Sequence, residues 1–516
     1  MIYTRWASTS ARQTKQLARW LKRLGKAKLR DSKDITSRSN VLFYEVQEAL
    51  RQVHPQAKVD TIANPVDLME AFYVARHRPF VEVDVDIVFQ LTEGGGIGFV
   101  PKSYANGLTA SDIPSGALTA VYVPKCVVGD RVRAKLTVHH HTHTEADLVK
   151  VLEPSPRRDD NLIVCNKFDR CSGCAFQMVS YEDQLQTKQL FIQRAYRYFY
   201  PALAQDEGFG FVVESPLQYL YRNKLTPHYK LRKDTVDYNE VPIGMLDVRL
   251  GTVDVDHCPI ATPAINKALP FVRKQAREAM SEQSPREYTL LLRDSLHVEA
   301  NGNHRQVCLE GPNKIITQKV GKNLFQFNLL LFFQNNSFIM PDIIDYIKHY
   351  LEGYQYKYVI DAYCGLGYFS VALAKGTDAE KTFGIEIDKE LIKYATHNAK
   401  LNGMGEKVTF VQGDATNMFD REEFKELNLT GDDTVVVMDP SRKGLTPQFM
   451  QQLYEFGPKV VVYVSCNVMT QARDLAMLER IGKETNGVKY KVLNVVGFDL
   501  FPQTKHVETV AILERI

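Results

Sequence analysis

No stretch of these 516 residues approaches the roughly 18 consecutive apolar residues that a membrane helix needs, so nothing in the sequence reads as a bilayer span. Cysteine is sparse. Eight in a chain of this length do not make a secreted disulfide scaffold, which points the thiols toward metal binding or catalysis. Net charge is also nearly absent, at +3, but that balance conceals a segment with no acid at all. Residues 1–30 hold nine Lys or Arg, and the first acid is Asp31; the remainder holds 55 basic against 61 acidic residues. Ser8, Thr9, Ser10 and Thr14 share the segment, with Leu17, Leu21 and Leu24 at helical spacing beside Trp20. Arg-rich, Ser-rich, acid-poor and amphipathic is the pattern of a mitochondrial transit peptide. The alternatives are a basic arm that touches nucleic acid in the cytoplasm or one that directs nuclear import. The main body is mildly acidic, so any RNA contact must come from a local basic patch.

A chain this long exceeds one core and divides into about three domains. Residues 1–40 form the basic leader, and 41–79 an extension with a weak helical pattern and no assigned role. From Phe80 the pattern changes to alternation, Val81-Glu82-Val83-Asp84-Val85-Asp86, followed by short strand-like runs to residue 154. Short strands broken by Gly, Pro and Asp predict a small β-barrel of the five-stranded oligonucleotide-binding type. His139 to His141 and His143 look metal-like, yet consecutive histidines on a strand face opposite ways, and a solvated hairpin tip is the reading preferred. Pro154-Ser155-Pro156 is a linker to a central domain, 155–330.

That domain opens with Cys165, Cys171 and Cys174, spaced C-x5-C-x2-C, and Cys258 stands far downstream before Pro259. Three close thiols plus a distant one followed by Pro fit a four-thiolate iron–sulfur site better than zinc, which more often pairs two short knuckles. Structural thiols with no ligand are the alternative. Along 219–233, Arg222, Lys224, His228, Lys230 and Arg232 share one strand face, and Tyr219, Tyr221, Leu225, Tyr229 and Leu231 share the other. A row of cations suits phosphates, and Pro227 marks an edge strand.

From 331 to the end the sequence reads as an α/β domain. A strand ending at Ala362 enters Cys364-Gly365-Leu366-Gly367 and then a helix; Ser370 stands where a dinucleotide fingerprint has its third glycine. Glu386 closes the next strand, 21 residues beyond Gly365, where an acid can accept from ribose hydroxyls. Two glycines without the third suit S-adenosylmethionine better than NAD. Asp439-Pro440 ends a further strand, and Cys466 follows Val461–Ser465. In an open parallel sheet such positions line the ligand crevice, so Cys466 is placed as a nucleophile rather than core filling.

Six blocks carry a resemblance. These are Cys165/Cys171/Cys174/Cys258, Phe333-Gln334-Asn335-Asn336, Asp361-x-Tyr363-Cys364-Gly365-x-Gly367, Asp439-Pro440-x-Arg442-x-Gly444, Ser465-Cys466-Asn467 with Ala472-Arg473-Asp474-Leu475, and His506-Val507-Glu508. In order and spacing, from about residue 80 onward, the chain resembles the RNA uracil-C5 methyltransferases, which make 5-methyluridine in tRNA and ribosomal RNA. The resemblance implies a C-terminal Rossmann-like S-adenosylmethionine-dependent domain, an N-terminal OB-like TRAM barrel and a central α+β domain with the cysteine cluster. It implies Cys466 as nucleophile, Glu508 as base, and Gln334, Tyr363, Tyr368, Glu386 and Asp439 as the S-adenosylmethionine site. It also implies a possible 4Fe-4S cluster on the four cysteines, with tRNA, at uridine 54, or rRNA as partner. No membrane and no obligate protein partner are expected. Ser441, Val468, Ser172 and Tyr368 depart from the family's usual residues, though none removes a reacting group. Two other classes compete: an RNA-binding or folding factor without catalysis, and an iron–sulfur electron carrier, which leaves the cofactor half without a task.

Overall fold

The computed structural model describes residues 34–53, 81–101, 118–140, 143–203, 209–232, 237–248, 251–299, 301–419, 424, 428–485 and 488–516. The basic leader to residue 33, most of the 41–79 extension and His141 lie outside them. The chain divides into two compact units, 1–156 and 157–516. Among the described residues no helix is long and apolar enough to cross a membrane.

In the first unit the alternation of Glu82–Asp86 becomes strand β1, with Val83 and Val85 inward and Glu82, Asp84 and Asp86 outward. The chain continues through Ile87 into β2 (Phe89–Gln90), then β3 (Gly95–Pro101), β4 (Leu118–Pro124), β5 (Arg131–His139) and β6 (Thr144–Glu153). β1 pairs with β5 while its continuation β2 pairs with β3, so one bent strand closes the sheet on both sides. β4 pairs with β3 antiparallel and with β6 parallel, and β5 pairs with β6. Counting β1 and β2 as one, five strands run in one sheet whose two ends meet at that bent strand. Gly98 sits at the closure: a Cβ there would lie 2.1 Å from the Asp86 carbonyl oxygen. The extension contributes more than its sequence showed. Helix Arg38–Val53 lays Leu42, Val46, Ala49 and Leu50, one helical stripe, on Phe89, Leu91, Ile97 and Ala120. It therefore starts inside the 1–40 leader.

The hairpin tip joining β5 to β6 is where the histidines fall. His140 and His143 stack with ring centroids 4.6 Å apart, and Glu145 lies 3.2 Å from His140. His143 is buried, so the tip is less solvated than the sequence reading held.

The second unit is built on an eight-stranded sheet: β7 (Phe209–Val213), β17 (Tyr358–Ala362), β18 (Lys381–Glu386), β19 (Val408–Gln412), β20 (Thr434–Met438), β21 (Val460–Ser465), β22 (Tyr490–Phe498) and β23 (Glu508–Arg515). Its order is β19-β18-β17-β20-β21-β23-β22-β7. The strands from β19 to β21 run parallel, while β23 is antiparallel to both neighbours. β20 and β21 are buried along their whole length, which is why they read as continuous Val-rich runs rather than alternation. The eighth strand, β7, comes from the 155–330 stretch, which is thus woven into the sheet. That stretch also forms the small strands β8 (Lys224–Leu225), β9 (His228–Lys230), β10 (Gly244–Asp247), β11 (Gly251–Asp254), β12 (Glu287–Thr289), β13 (Leu292–Val298), β14 (His304–Glu310), β15 (Ile315–Val320) and β16 (Asn323–Asn328).

Candidate active site

The carboxyl edge of the parallel strands opens into one cavity of about 500 Å³. Its lining includes all seven residues assigned from sequence to catalysis and cofactor: Gln334, Tyr363, Tyr368, Glu386, Asp439, Cys466 and Glu508. β23 explains how Glu508 arrives there. Because it runs antiparallel, its first residue lies at the edge where β21 ends, and the register pair Ser465↔Thr509 puts Cys466 beside Glu508.

After β17 the chain turns sharply. Tyr363 adopts φ +66° and Gly367 φ +80°, and a Cβ on Gly367 would lie 2.7 Å from the Phe410 ring. The Gly365 amide donates to Glu386 Oε2 at 3.2 Å, which fixes the acid at the mouth of the glycine turn. Ser370 now has a reason to replace the third glycine: its amide and hydroxyl donate to the buried Asp361 at 2.8 and 2.5 Å. Tyr368 donates its hydroxyl to the Met340 carbonyl at 2.8 Å, so what remains for a ligand is its ring.

Asn467 caps helix Val468–Thr485, its side chain accepting from Met469 N at 3.2 Å, so Cys466 sits at a helix N-terminus. The Ala-Arg-Asp block clamps the neighbouring turn. Arg473 donates to the Lys443 carbonyl at 2.8 Å, and Asp474 accepts from Leu445 N at 2.7 Å and from Tyr463 at 2.8 Å. Asn467 donates to the Arg442 carbonyl at 3.0 Å. Together these hold Arg442 against Cys466. From the sequence Arg442 is only a motif residue, three positions beyond Asp439, and that cation so close to the Asp-Pro turn was the available signal.

The electrostatics are lopsided. Glu386, Asp439, Glu508 and the Cys466 thiol share the cavity with Arg442 and His506. Burial, then the charges of Glu508 and Asp439, push the Cys466 thiol up to about 12, with Arg442 pulling the other way. Burial and Asp439 raise Glu508 well above the carboxylate range. Asp439 is pushed up to about 7 by burial and by Asp361 behind it.

The loop that leads into Glu508 is held from below. Lys188, on helix Tyr181–Phe199, donates to Asp499 at 2.5 Å and to the Phe501 carbonyl at 3.1 Å; both charged side chains are wholly buried. Gln184 and Gln503 exchange hydrogen bonds at 3.0 and 2.9 Å, and Tyr221 donates to the Pro502 carbonyl at 2.9 Å. The Gln503 carbonyl accepts from Ala175 N at 2.7 Å and Phe176 N at 3.1 Å, directly after Cys174.

The four cysteines gather near one another. Burial, and the nearby Cys171, raise the Cys258 thiol to about 11; Tyr219 feels both Cys165 and Cys174, and Tyr221 both Cys174 and Cys258. The expected strand over 219–233 is instead two short strands, β8 and β9, that join different sheets, with β9 internal to its sheet rather than at an edge; the burial still alternates, with Tyr221, Leu225, Tyr229 and Leu231 buried and Lys230 and Arg232 exposed.

With this geometry in place, comparison with known proteins is informative. A family model described as tRNA (Uracil-5-)-methyltransferase matches residues 289–516. A Schizosaccharomyces pombe protein described as tRNA (uracil(54)-C(5))-methyltransferase is 35% identical, over 85% of this chain and 79% of its own length. A Saccharomyces cerevisiae protein of the same description is 31% identical, over 96% and 84%. Among solved structures, Pyrococcus abyssi tRNA (uracil-54, C5)-methyltransferase in complex with S-adenosyl-L-homocysteine matches with a TM-score of 0.57 and 21% identity. It covers 76% of this chain and 94% of its own, a likeness of fold.

Proposed function

The chain belongs to the tRNA (uracil-5-)-methyltransferase family, and on that premise we propose that it methylates C5 of uridine 54 in tRNA through a covalent adduct at Cys466. The observation that carries this reading is the convergence of Cys466, Glu508, Asp439 and Arg442 in one cavity with Gln334, Tyr363 and Glu386.

Uracil C5 is a poor nucleophile, and covalent catalysis makes it a better one. S-adenosylmethionine would supply a methyl group on a cationic sulfonium; Gln334, Tyr363, Glu386 and the Tyr368 ring would hold it, and Asp439 would orient it. The Cys466 thiolate adds to C6, which makes C5 enolate-like and able to take the methyl group. Glu508, as carboxylate, removes the C5 proton, the C5–C6 double bond re-forms, and the Cys466 thiolate leaves. Burial and the neighbouring acids favour the Cys466 thiol, which gives up its proton to water before it attacks, and Arg442 is the cation beside it that favours the thiolate. The target base must leave its stack to reach this depth.

In this reading the first unit is the TRAM-like RNA-binding barrel, and the basic leader takes the protein to mitochondria. Cys165, Cys171, Cys174 and Cys258 hold a structural iron–sulfur cluster, a reading that rests on the four thiols and the Pro after the last, and the reaction needs no electron from it. Iron and acid-labile sulfide analysis of anaerobically purified protein should give about four of each per chain; neither above background removes the cluster. For the substrate, the purified chain with methyl-labelled S-adenosylmethionine should label a tRNA transcript and fail on the same transcript with U54 replaced by C. Equal labelling of both, or labelling confined to rRNA, contradicts the assignment.

A further inference from the structure

Arg293 is wholly buried on β13, and none of its guanidinium nitrogens has a hydrogen-bond partner. Burying an unpaired charge is costly, and natural proteins rarely do so without a compensating group. Here the immediate neighbours add to the problem. Arg293 stands directly opposite Lys224 in the β13–β8 ladder, so both side chains project from one face. Arg222, two residues before Lys224, donates through Nε to the Lys224 carbonyl at 2.9 Å. None of the three forms an ion pair with a carboxylate among the described residues. Asp294 points to the opposite face, and the contact that remains to Arg293 is the Phe327 ring, 5.0 Å from its Cζ. Burial, followed by Arg293 and Arg222, pushes the half-buried Lys224 ammonium down to about 8.

The location adds a purpose. Between the two surface cations, Asn223 donates its amide to the Asn335 carbonyl at 3.0 Å and its side chain to the Gln334 carbonyl at 3.1 Å. Gln334 and Asn335 line the catalytic cavity. The segment that carries Arg222 and Lys224 is therefore fastened through Asn223 to the segment that lines the cavity.

We infer that Arg222, Lys224 and Arg293 form a phosphate seat that grips the RNA backbone beside the flipped uridine, with Arg222 and Lys224 reaching the anion and Arg293 charging the floor. This rests on the RNA reading above. It differs from a general basic face because the floor cation is hidden, unpaired and ill-suited to the free protein. A phosphate supplies the absent negative charge and converts mutual repulsion into shared attraction.

Arg293→Met and Lys224→Met, made in the full chain, test this. A structural Arg293 would lose stability on replacement by Met and leave RNA binding alone. A phosphate seat gives the reverse: the ligand-free Tm of Arg293→Met stays level or rises, and KM for tRNA increases about tenfold, a loss near 1.4 kcal/mol. The loss falls on KM rather than kcat, and the salt dependence of tRNA binding weakens by about 0.7–0.9 in log–log slope when the phosphate-contacting Lys224 is replaced. Should Arg293→Met fail to fold, Lys224→Met carries the same slope test. Unchanged KM and slope in variants of a wild type that does methylate tRNA overturn the seat alone; a wild type that methylates no RNA overturns the reading beneath it. Stabilisation of wild type by inorganic phosphate, with tRNA binding unaltered in both variants, also overturns it, because the seat then serves a free anion.

Discussion

Two buried charged groups in the second unit solve the same problem in opposite ways. Lys188 and Asp499 are wholly buried, 311 residues apart in sequence, and pair at 2.5 Å. The catalytic cavity instead gathers Cys466, Glu508 and Asp439 around Arg442 and leaves acid in excess. Matched charges make a scaffold that needs nothing more, whereas a mismatch marks where a ligand completes the structure. The cavity holds two acids, Asp439 and Glu508, that burial and a neighbouring carboxyl raise toward their neutral forms; the Arg293 floor is short of an anion.

The contrast is broken most severely at the nucleophile. Cys466→Ala should lower turnover by on the order of 10⁴-fold or more while leaving the Tm little changed, measured by methyl transfer to tRNA and by thermal melting. Retained turnover removes Cys466 from the reaction. The scaffold should respond in the converse sense. Lys188→Met leaves Asp499 charged and unpaired, at a cost of about 3–5 kcal/mol by denaturant unfolding. Lys188→Met with Asp499→Leu should recover much of that loss, and a double variant as unstable as the single one would show that the pair itself was not the cause.

The smallest effect is one of pH. Asp361 and Asp439 are both raised to about 7, mainly by burial. A carboxyl raised in the folded state contributes stability that is full below the unfolded value near 4 and is lost as pH rises through 7. Asp361→Asn removes one of these groups, so its Tm relative to wild type should be more favourable at pH 8 than at pH 5. A difference that is flat with pH would mean Asp361 does not titrate in that window.

The sequence disclosed these features unevenly, for physical reasons. Cys466, Asp439 and Glu386 were legible because strand ends in a parallel sheet face the crevice, and a Val-rich run announces where its strand stops. Helix Arg38–Val53 was faint because its apolar stripe is short and its partner surface lies some forty residues onward. Lys188 and Asp499 could not be matched, since nothing local records a contact across 311 residues. Arg293 was invisible for a related reason: within Leu290–Val298 it looks like an ordinary strand cation, and only folding shows it shut in beside Lys224 without a carboxylate. Arg442 lay between, present as a motif letter but needing geometry to become the counter-charge to a thiol.

The covalent route is tested most directly by incubating Glu508→Gln with tRNA and methyl-labelled S-adenosylmethionine, then mapping the protein–RNA adduct by mass spectrometry after denaturation. The expected result is a stable complex that carries the methyl group, joined through Cys466, because the C5 proton can no longer be removed. Free methylated tRNA at the wild-type rate, or an adduct at another residue, would contradict it.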